Sequence, residues 1–277
     1  MPQTVLAVLG PQGPVLADPA APLLRADDVG MLRGESVFET VRIAGGRPAF
    51  LDRHLRRLAT SASRLALPLP AGWPALSELA VATWDRPDGV LRLVCSRGGA
   101  AYALVTAVPT ETLHGRQQGV RALTLTLGVP AGLRAQAPWL LGGVKSTSYA
   151  VNMAALREVQ RLGADDAVLV SSDGEVLEAP TATAAWVTAG RLVTPPPEAV
   201  GILPGITIGV VLELCAELKI PYDVRRGTVA ELLEADEVLL TGSIRGVAPV
   251  TTLDGRELGC GSVTTRLRDA FEQRVLA

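Results

Sequence analysis

The sequence predicts an α+β protein of two domains, and three observations carry that expectation. A length of 277 residues exceeds what one small core needs and suits one large domain or two. Short runs with strand-like alternation are interleaved with stretches of helical period in both halves. A polar stretch, Thr110 to Gly119, parts the halves. The expected division is an N-terminal domain over 1–113, a linker over 114–119 and a C-terminal domain over 120–277.

Each element has its own warrant. Thr4 to Val8 reads as a strand closed by Gly10-Pro11, and Asp27 to Gly34 as a polar loop. Ser36 to Ile43 alternates like a strand, and Gly45-Gly46 turns the chain into Arg47-Pro48. Leu51, Leu55, Leu58, Ala62 and Leu65 then recur at helical spacing until Pro68 and Pro70 end the helix. Pro74 to Trp84 reads as a second helix, and Val90–Cys95 with Tyr102–Val108 as paired strands joined through Arg97-Gly98-Gly99. In the second half Val120–Leu127 is a strand and Ala150–Leu162 a helix. Ala167–Val170 and Glu175–Leu177 are strands about the Asp173-Gly174 turn, and Ala185–Val187 and Arg191–Val193 a pair about Ala189-Gly190. Gly205 opens an apolar helix to Leu218, Val229–Glu234 is a short helix, Glu237–Leu240 a strand, and Gly261–Leu276 a closing helix.

Composition removes several function classes. A net charge of −2 and a pI near 5.8 advertise neither nucleic acid nor an anionic membrane. Cys95, Cys215 and Cys260 are odd in number and far apart, which speaks against a disulfide framework and a zinc site and for a reducing compartment. The start, MPQTVLAVLGPQG, lacks a basic export region, and no apolar run reaches the roughly 18 residues of a spanning helix, so a cytoplasmic protein is expected. With only His54 and His114, a histidine metal site is not expected. No GxSxG elbow, P-loop or GxGxxG appears.

What remains centres on lysine. The chain has 26 Lys+Arg, of which only Lys145 and Lys219 are lysine. Arg keeps its proton in proteins, whereas Lys loses it, and only a neutral amine attacks a carbonyl. Lys219 follows an apolar helix, where a cation meets the C-terminal dipole. Lys145 precedes a helix among Ser146, Thr147 and Ser148 and has no such explanation. Three places suit an anion: Leu203–Thr207, where a Gly turn opens a helix; Thr241–Gly246, small and hydroxylated after an apolar strand; and Arg57, in a helix with Arg53 and Arg56. Glu178 stands at a strand exit before Ala179-Pro180. A lysine, a carboxylate, Tyr149 and anion sites together suggest pyridoxal 5′-phosphate (PLP), whose ring is an electron sink when its nitrogen is kept protonated.

At these residues the chain resembles the fold-type IV PLP enzymes, which comprise branched-chain and D-amino acid aminotransferases and aminodeoxychorismate lyases. The resemblance runs through Gly34–Arg42 (GESVFETVR), His54–Ala62 (HLRRLATSA), Lys145 with Gly163-Ala164-Asp165, Asp173–Glu178 (DGEVLE), Leu203–Thr207 (LPGIT) and Ala235–Val250. It implies two domains in a D-amino acid aminotransferase-like fold with the cofactor between them, in a homodimer acting on a small molecule. It implies that Lys145 condenses with the cofactor's aldehyde and shuttles the proton. Glu178 would pair with the ring nitrogen and Tyr149 with the ring oxygen. Arg57, Ile206, Thr207, Ser243 and Ile244 would take the phosphate, the isoleucines through backbone N–H. The sequence departs from the family pattern at Gly34-Glu35-Ser36, Thr183, Ala185-Trp186 and Ile208.

Two reactions share that cofactor. One is amino transfer from D- or branched-chain amino acids. The other is elimination, converting 4-amino-4-deoxychorismate to 4-aminobenzoate and pyruvate in folate biosynthesis. A substrate with two carboxylates calls for cations, and Arg97 and Arg245, with Thr40 of the VFET segment, are the substrate-binding candidates. The VFET form and the Arg97-Gly98 pair resemble the lyase branch, so the sequence puts the lyase first, the aminotransferase second and a cofactor-free binding protein of the same fold last.

Overall fold

The alternation of SVFETVRIA becomes a strand over Ser36–Ala44 whose odd-numbered side chains enter the core. The computed structural model describes residues 4–277. Residues 1–3, which open the expected N-terminal domain and the stretch read for an export signal, lie outside them. The chain forms two compact units. The first runs up to Pro109 and takes in Val144–Tyr149 and Leu276; the second holds Thr110–Gly143, Ala150–Val275 and Ala277. The lysine's own segment therefore groups with the first unit, not with the half of the sequence that contains it. Residues 114–119, read as a linker, lie in the helix Thr110–Gln118 and the glycine after it. Gly119 has φ +83°, and a Cβ there would lie 2.7 Å from the Pro249 carbonyl, so the turn requires glycine.

The first unit is a six-stranded antiparallel sheet: β1 (Val5–Gly10), β2 (Gly13–Ala17), β3 (Ser36–Ala44), β4 (Arg47–Pro48), β5 (Gly89–Ser96) and β6 (Ala101–Thr106), in the order β2-β1-β6-β5-β3-β4. Val37, Val41 and Ile43 of β3 meet Leu58 and Ala62 of the helix Leu51–Arg64 and Leu76 and Ala80 of the helix Trp73–Ala82. The polar loop expected at Asp27–Gly34 is instead a short helix, Val29–Arg33, because the Asp28 carboxylate accepts the Gly30 N–H at 2.7 Å and caps it.

The second unit carries β7 (Val120–Thr126), β8 (Asp166–Val170), β9 (Thr183–Thr188), β10 (Arg191–Thr194), β11 (Tyr222–Val224), β12 (Glu237–Gly242), β13 (Gly246–Leu253) and β14 (Arg256–Glu257). Their order is β11-β10-β9-β12-β13-β7-β8, with β14 on β13. β7 runs parallel to both β8 and β13, whereas β12 is antiparallel to both of its neighbours, β9 and β13. Pro249 hides β13 from sequence reading, since proline argues against a central strand. The strand tolerates it beside a register shift between Val250 and Thr252. The expected strand Glu175–Leu177 makes only isolated bridges, Val170 with Val176 and Glu175 with Thr228. Gly174 at φ +81° turns the chain immediately before it and Pro180 follows closely, leaving no length for a ladder. The apolar helix Ile206–Glu217 is buried on several faces, and Lys219 lies just past its end at φ +55°.

Trp186 of β9 is fully buried at the centre of the second core, with its Nε1–H donating to Glu231 at 3.2 Å. Trp186→Ala is expected to cost about 3–5 kcal/mol through the cavity it leaves, read as a lower denaturant midpoint with an unchanged slope.

Candidate active site

The lysine segment lies along the open side of β3. The Phe38 N–H donates to the Lys145 carbonyl at 3.0 Å and the Thr147 N–H to the Ser36 carbonyl at 2.9 Å, while Ser146 bridges to Val37. The Thr147 and Ser148 hydroxyls both donate to the Gly34 carbonyl. The hydroxyl residues flanking Lys145 thus serve as ties that fix the backbone. Lys145 is buried, and its Nζ stands 4.4 Å from the Phe38 ring centroid and 5.7 Å from that of Tyr149. Those two rings meet edge to face at 5.2 Å. By strand alternation Thr40 shares the Phe38 face of β3 and Glu39 takes the opposite one.

Glu39 is the carboxylate that sequence reading missed. It is 0% exposed, so it must find donors or lose its charge. Arg57 supplies a bidentate pair, Nε to Oε1 at 2.7 Å and Nη2 to Oε2 at 2.8 Å. His54 Nδ1 lies 2.6 Å from the same Oε2, and a carboxylate accepts only, so Nδ1 carries the proton. Burial alone would raise the Glu39 carboxyl; the hydrogen bonds and charges of Arg57 and His54 outweigh it and hold Glu39 lowered to about 2. Burial lowers His54, against the pull of Glu39, so the ring is neutral near pH 7. His54, Arg57 and Ser61 recur at three- and four-residue spacing on one face of the helix Leu51–Arg64, and the Ser61 hydroxyl accepts the Lys145 N–H at 3.1 Å. One helix face therefore carries the expected phosphate arginine and anchors the expected catalytic lysine.

Arg97 is turned elsewhere. It pairs with Glu35, donates to the Leu65 carbonyl at 2.6 Å and reaches the Ala66 carbonyl at 3.1 Å, closing the C-terminal end of that same helix. Its guanidinium is engaged by its own unit.

In the second unit Glu178 is held from two sides. The Leu203 N–H donates to Oε2 at 3.1 Å, and Arg134 Nη2 lies 3.5 Å from Oε1. Arg134, on the short helix Ala131–Gln136, also keeps Nη1 buried with no hydrogen-bond partner. The helix beginning at Ile206 has Gly205 as its N-cap, with no side-chain cap, which leaves its first N–H groups to another acceptor. A Cβ on Gly205 would collide with the Thr183 hydroxyl, so the helix start lies against β9. Thr183 is also paired in register with Thr241 of β12, and Ser243 and Ile244 follow directly after that strand. Thr183 thus joins the two anion-binding stretches seen in sequence at one end of one sheet. Arg116 donates to the Ile244 carbonyl, fixing the loop. Arg245 pairs with Asp166, which is fully buried. Each unit by itself offers donors suited to part of an anionic aromatic cofactor: the first has an amine over aromatic rings, and the second has a carboxylate beside a cation and a helix start with no side-chain cap.

Sequence signals existed for part of what was missed. A glutamate on the apolar face of SVFETVRI needs a cation, and His54 and Arg57 lie at helical spacing to supply donors. Arg134 gave no signal, because its short helix follows Pro130 and has little periodicity. Among the described residues no His/Cys/Asp/Glu group could hold a metal ion, and no helix is long and apolar enough to cross a membrane.

Comparison with known proteins agrees with this donor set. A family profile described as "Amino-transferase class IV" matches residues 36–253. A bifunctional aminodeoxychorismate lyase / D-amino acid transaminase of Mycobacterium tuberculosis is 39% identical over 261 residues, covering 88% of this chain and 90% of that protein. A structure described as a hypothetical aminotransferase from Mycobacterium tuberculosis, in its PLP-bound form, superposes with a TM-score of 0.92 at 36% identity, covering 98% of this chain and 99% of that one. Its α-ketoglutarate- and PMP-bound form superposes with a TM-score of 0.93 over the same shares.

The buried acid and its partners set a pH dependence. Glu39 has its folded value depressed from 4.5 to about 2, so its contribution is complete above pH 4.5 and is lost as pH falls through about 2. That shift corresponds to roughly 3 kcal/mol. His54 is depressed below 6.5, so protonating it adds a cost once pH drops beneath that value. Unfolding free energy measured from pH 7 to 2 should fall in both windows, and Glu39→Gln, less stable throughout, should show a flatter slope between pH 4.5 and 2. Equal slopes in the variant and the parent would exclude Glu39 as the titrating group.

Proposed function

The chain belongs to the class IV amino-transferase family, and from that premise we propose that it moves the amino group of a D-amino acid to a 2-oxo acid. The cofactor is pyridoxal 5′-phosphate, as in the PLP-bound relative. When bound, it supplies the electron sink that lets a bond at the substrate's α-carbon break.

The chain's own residues take the remaining tasks. Lys145 Nζ, beside the Phe38 and Tyr149 rings, would be the group that takes and returns the proton at the substrate α-carbon. Glu178, already oriented by the Leu203 N–H and Arg134, would face the ring nitrogen and favour its protonated form. Tyr149 would donate to the ring oxygen. Arg57, the N–H groups of Ile206 and Thr207, and Ser243 with the Ile244 N–H would hold the phosphate. Thr40, on the Phe38 face of β3, is the substrate contact this reading keeps. A homodimer in the cytoplasm is the working form we propose, and the exposed Met31 and Leu32 of the first unit support a covered face there.

The observation that carries amino transfer ahead of elimination is a 36% identical relative solved with α-ketoglutarate and PMP. The lyase reading rested on Arg97 and Arg245 as substrate cations. Arg97 is committed to Glu35 and two carbonyls, and Arg245 to a buried carboxylate. Recruiting Arg97 for a ligand would break contacts already made by all three of its nitrogens and leave Glu35 to be compensated. The lyase stays as the second reading, favoured by the 39% identical relative that bears both activities in its name.

A substrate panel on the purified holoenzyme decides between them. D-alanine, L-leucine and 4-amino-4-deoxychorismate are offered in parallel, the amino acids with 2-oxoglutarate. Transfer from D-alanine, with release of pyruvate and formation of glutamate, is expected to exceed transfer from L-leucine and any release of 4-aminobenzoate. Formation of 4-aminobenzoate without amino transfer would reverse the order. Lys145→Ala should lower turnover by about 1000-fold or more while the unfolding midpoint stays close to that of the parent.

A further inference from the structure

Arg57 is given to the phosphate by the reading above, yet its Nε–Nη2 edge is spent on a buried carboxylate. We infer that Glu39 and His54 are positioning residues for the cofactor phosphate, acting through Arg57 by fixing the plane of its guanidinium. This rests on the reading that Arg57 meets that phosphate. Glu39 and His54 touch neither substrate nor cofactor in this account.

Three features carry the inference. First, the pairing is side-on and two-point: Glu39 Oε1 takes Nε and Oε2 takes Nη2, which fixes both the position and the plane of the guanidinium and directs its Nη1 end away from the carboxylate. Second, the carboxylate is itself fixed from both sides. Its backbone belongs to β3, between Phe38 and Thr40, and its Oε2 also holds the His54 Nδ1–H, whose ring is 1% exposed. His54 and Arg57 are one helical turn apart, so they bracket Glu39 from a single helix face. Third, Ser61, one turn beyond Arg57 on that face, accepts the Lys145 N–H. The orientation of the guanidinium and the placement of the lysine are thereby set by one rigid element.

Charge argues for orientation, not for simple attraction. The Glu39 carboxylate cancels the Arg57 cation, so an arginine kept only to attract phosphate would bind it more tightly without Glu39. The neutral His54 ring adds no charge to the unit. Replacing it with an apolar side chain therefore removes a geometric restraint with no change in net charge near neutral pH, and isolates the effect proposed.

The experiment uses the full-length apoprotein, titrated with PLP and with pyridoxal, which has the same ring and aldehyde but no phosphate. Binding is followed by visible absorbance, with the unfolding midpoint recorded for every variant. Arg57→Leu and His54→Leu should each weaken PLP binding by about tenfold or more and leave pyridoxal binding within about twofold. His54→Asn, whose amide N–H falls near the Nδ1 position, should bring the PLP-to-pyridoxal ratio back to within about threefold of the parent. If Arg57→Leu leaves that ratio unchanged, the phosphate reading of Arg57 fails. If Arg57→Leu lowers the ratio and His54→Leu does not, this inference fails alone. A His54→Leu protein that binds both ligands equally less well has lost only structure, which also overturns it. Should His54→Leu not fold, His54→Gln, whose donor lies farther out, takes its place: a lowered ratio supports the inference and an unchanged ratio overturns it.

Discussion

A carboxylate on the apolar face of a strand constrains everything around it. Glu39 alternates into the core between Val37 and Val41, where an ionised group without partners would cost several kcal/mol. The helix Leu51–Arg64 meets that demand with Arg57 and His54 and in doing so loses its freedom to slide or rotate against β3. A purely apolar contact between Leu58, Ala62 and the strand would tolerate small shifts; a bidentate pair with a third donor on one of its oxygens does not. The cost of burying the charges is repaid as a defined register between helix and strand. That register places Ser61 at the Lys145 N–H, and β3 itself supplies the Phe38 N–H that binds the Lys145 carbonyl. The lysine is thus held at both backbone groups by the two elements that Glu39 locks together.

The second unit places its donor stretches through a small residue. Thr183 is small enough to lie beneath Gly205, and it is opposite Thr241 in the β9–β12 ladder. The helix start and the Ser243–Ile244 loop consequently share one end of the sheet, and both offer backbone or hydroxyl donors there. A larger residue at 183 would push the helix away from the strand. The hydroxyl and methyl of Thr183 fit the space left by Gly205.

Strand and helix existence was legible where periodicity was strong, as in SVFETVRI, LDRHLRRL and the apolar run after Gly205. Failures cluster where a local rule was overruled by tertiary context. The strand β13 was not read from sequence, and it is central and absorbs Pro249 beside a register shift. Asp27–Gly34 read as loop because the capping carboxylate of Asp28 is a short-range signal with no apolar period behind it. The DGEVLE motif was recognised correctly as a sequence pattern and wrongly as a strand, since pattern recognition reports which residues recur and says nothing about ladder length. Among the candidate site residues, Lys145, Tyr149, Glu178 and Arg57 were singled out from the sequence. Glu39 was signalled by its place on the apolar face of SVFETVRI and was passed over, whereas Arg134 gave no signal, because its short helix has little periodicity.

The two arginines show where reading a charge from sequence stops. Arg97 and Arg245 look alike in sequence, each followed by glycine in a loop after an apolar strand. From sequence, both are candidates to bind a carboxylate. The structure engages both within the protein, one at the end of a helix and one on a buried aspartate. An arginine already paired brings little net charge to a ligand, because its partner's field opposes its own at nearly the same distance. The same reasoning applies to Arg57, whose charge Glu39 cancels, and it separates the roles. A paired arginine with a fixed plane is a geometric receptor for an anion held by other donors as well. An anion that lacked those additional donors would need an unpaired cation. Phosphate met by several donors is therefore compatible with a neutralised arginine, whereas a lone carboxylate needs a cation whose charge is not already cancelled. That requirement holds alike for 2-oxoglutarate and for the lyase substrate, so the pairing of Arg97 and Arg245 bears on both reactions and does not by itself separate them.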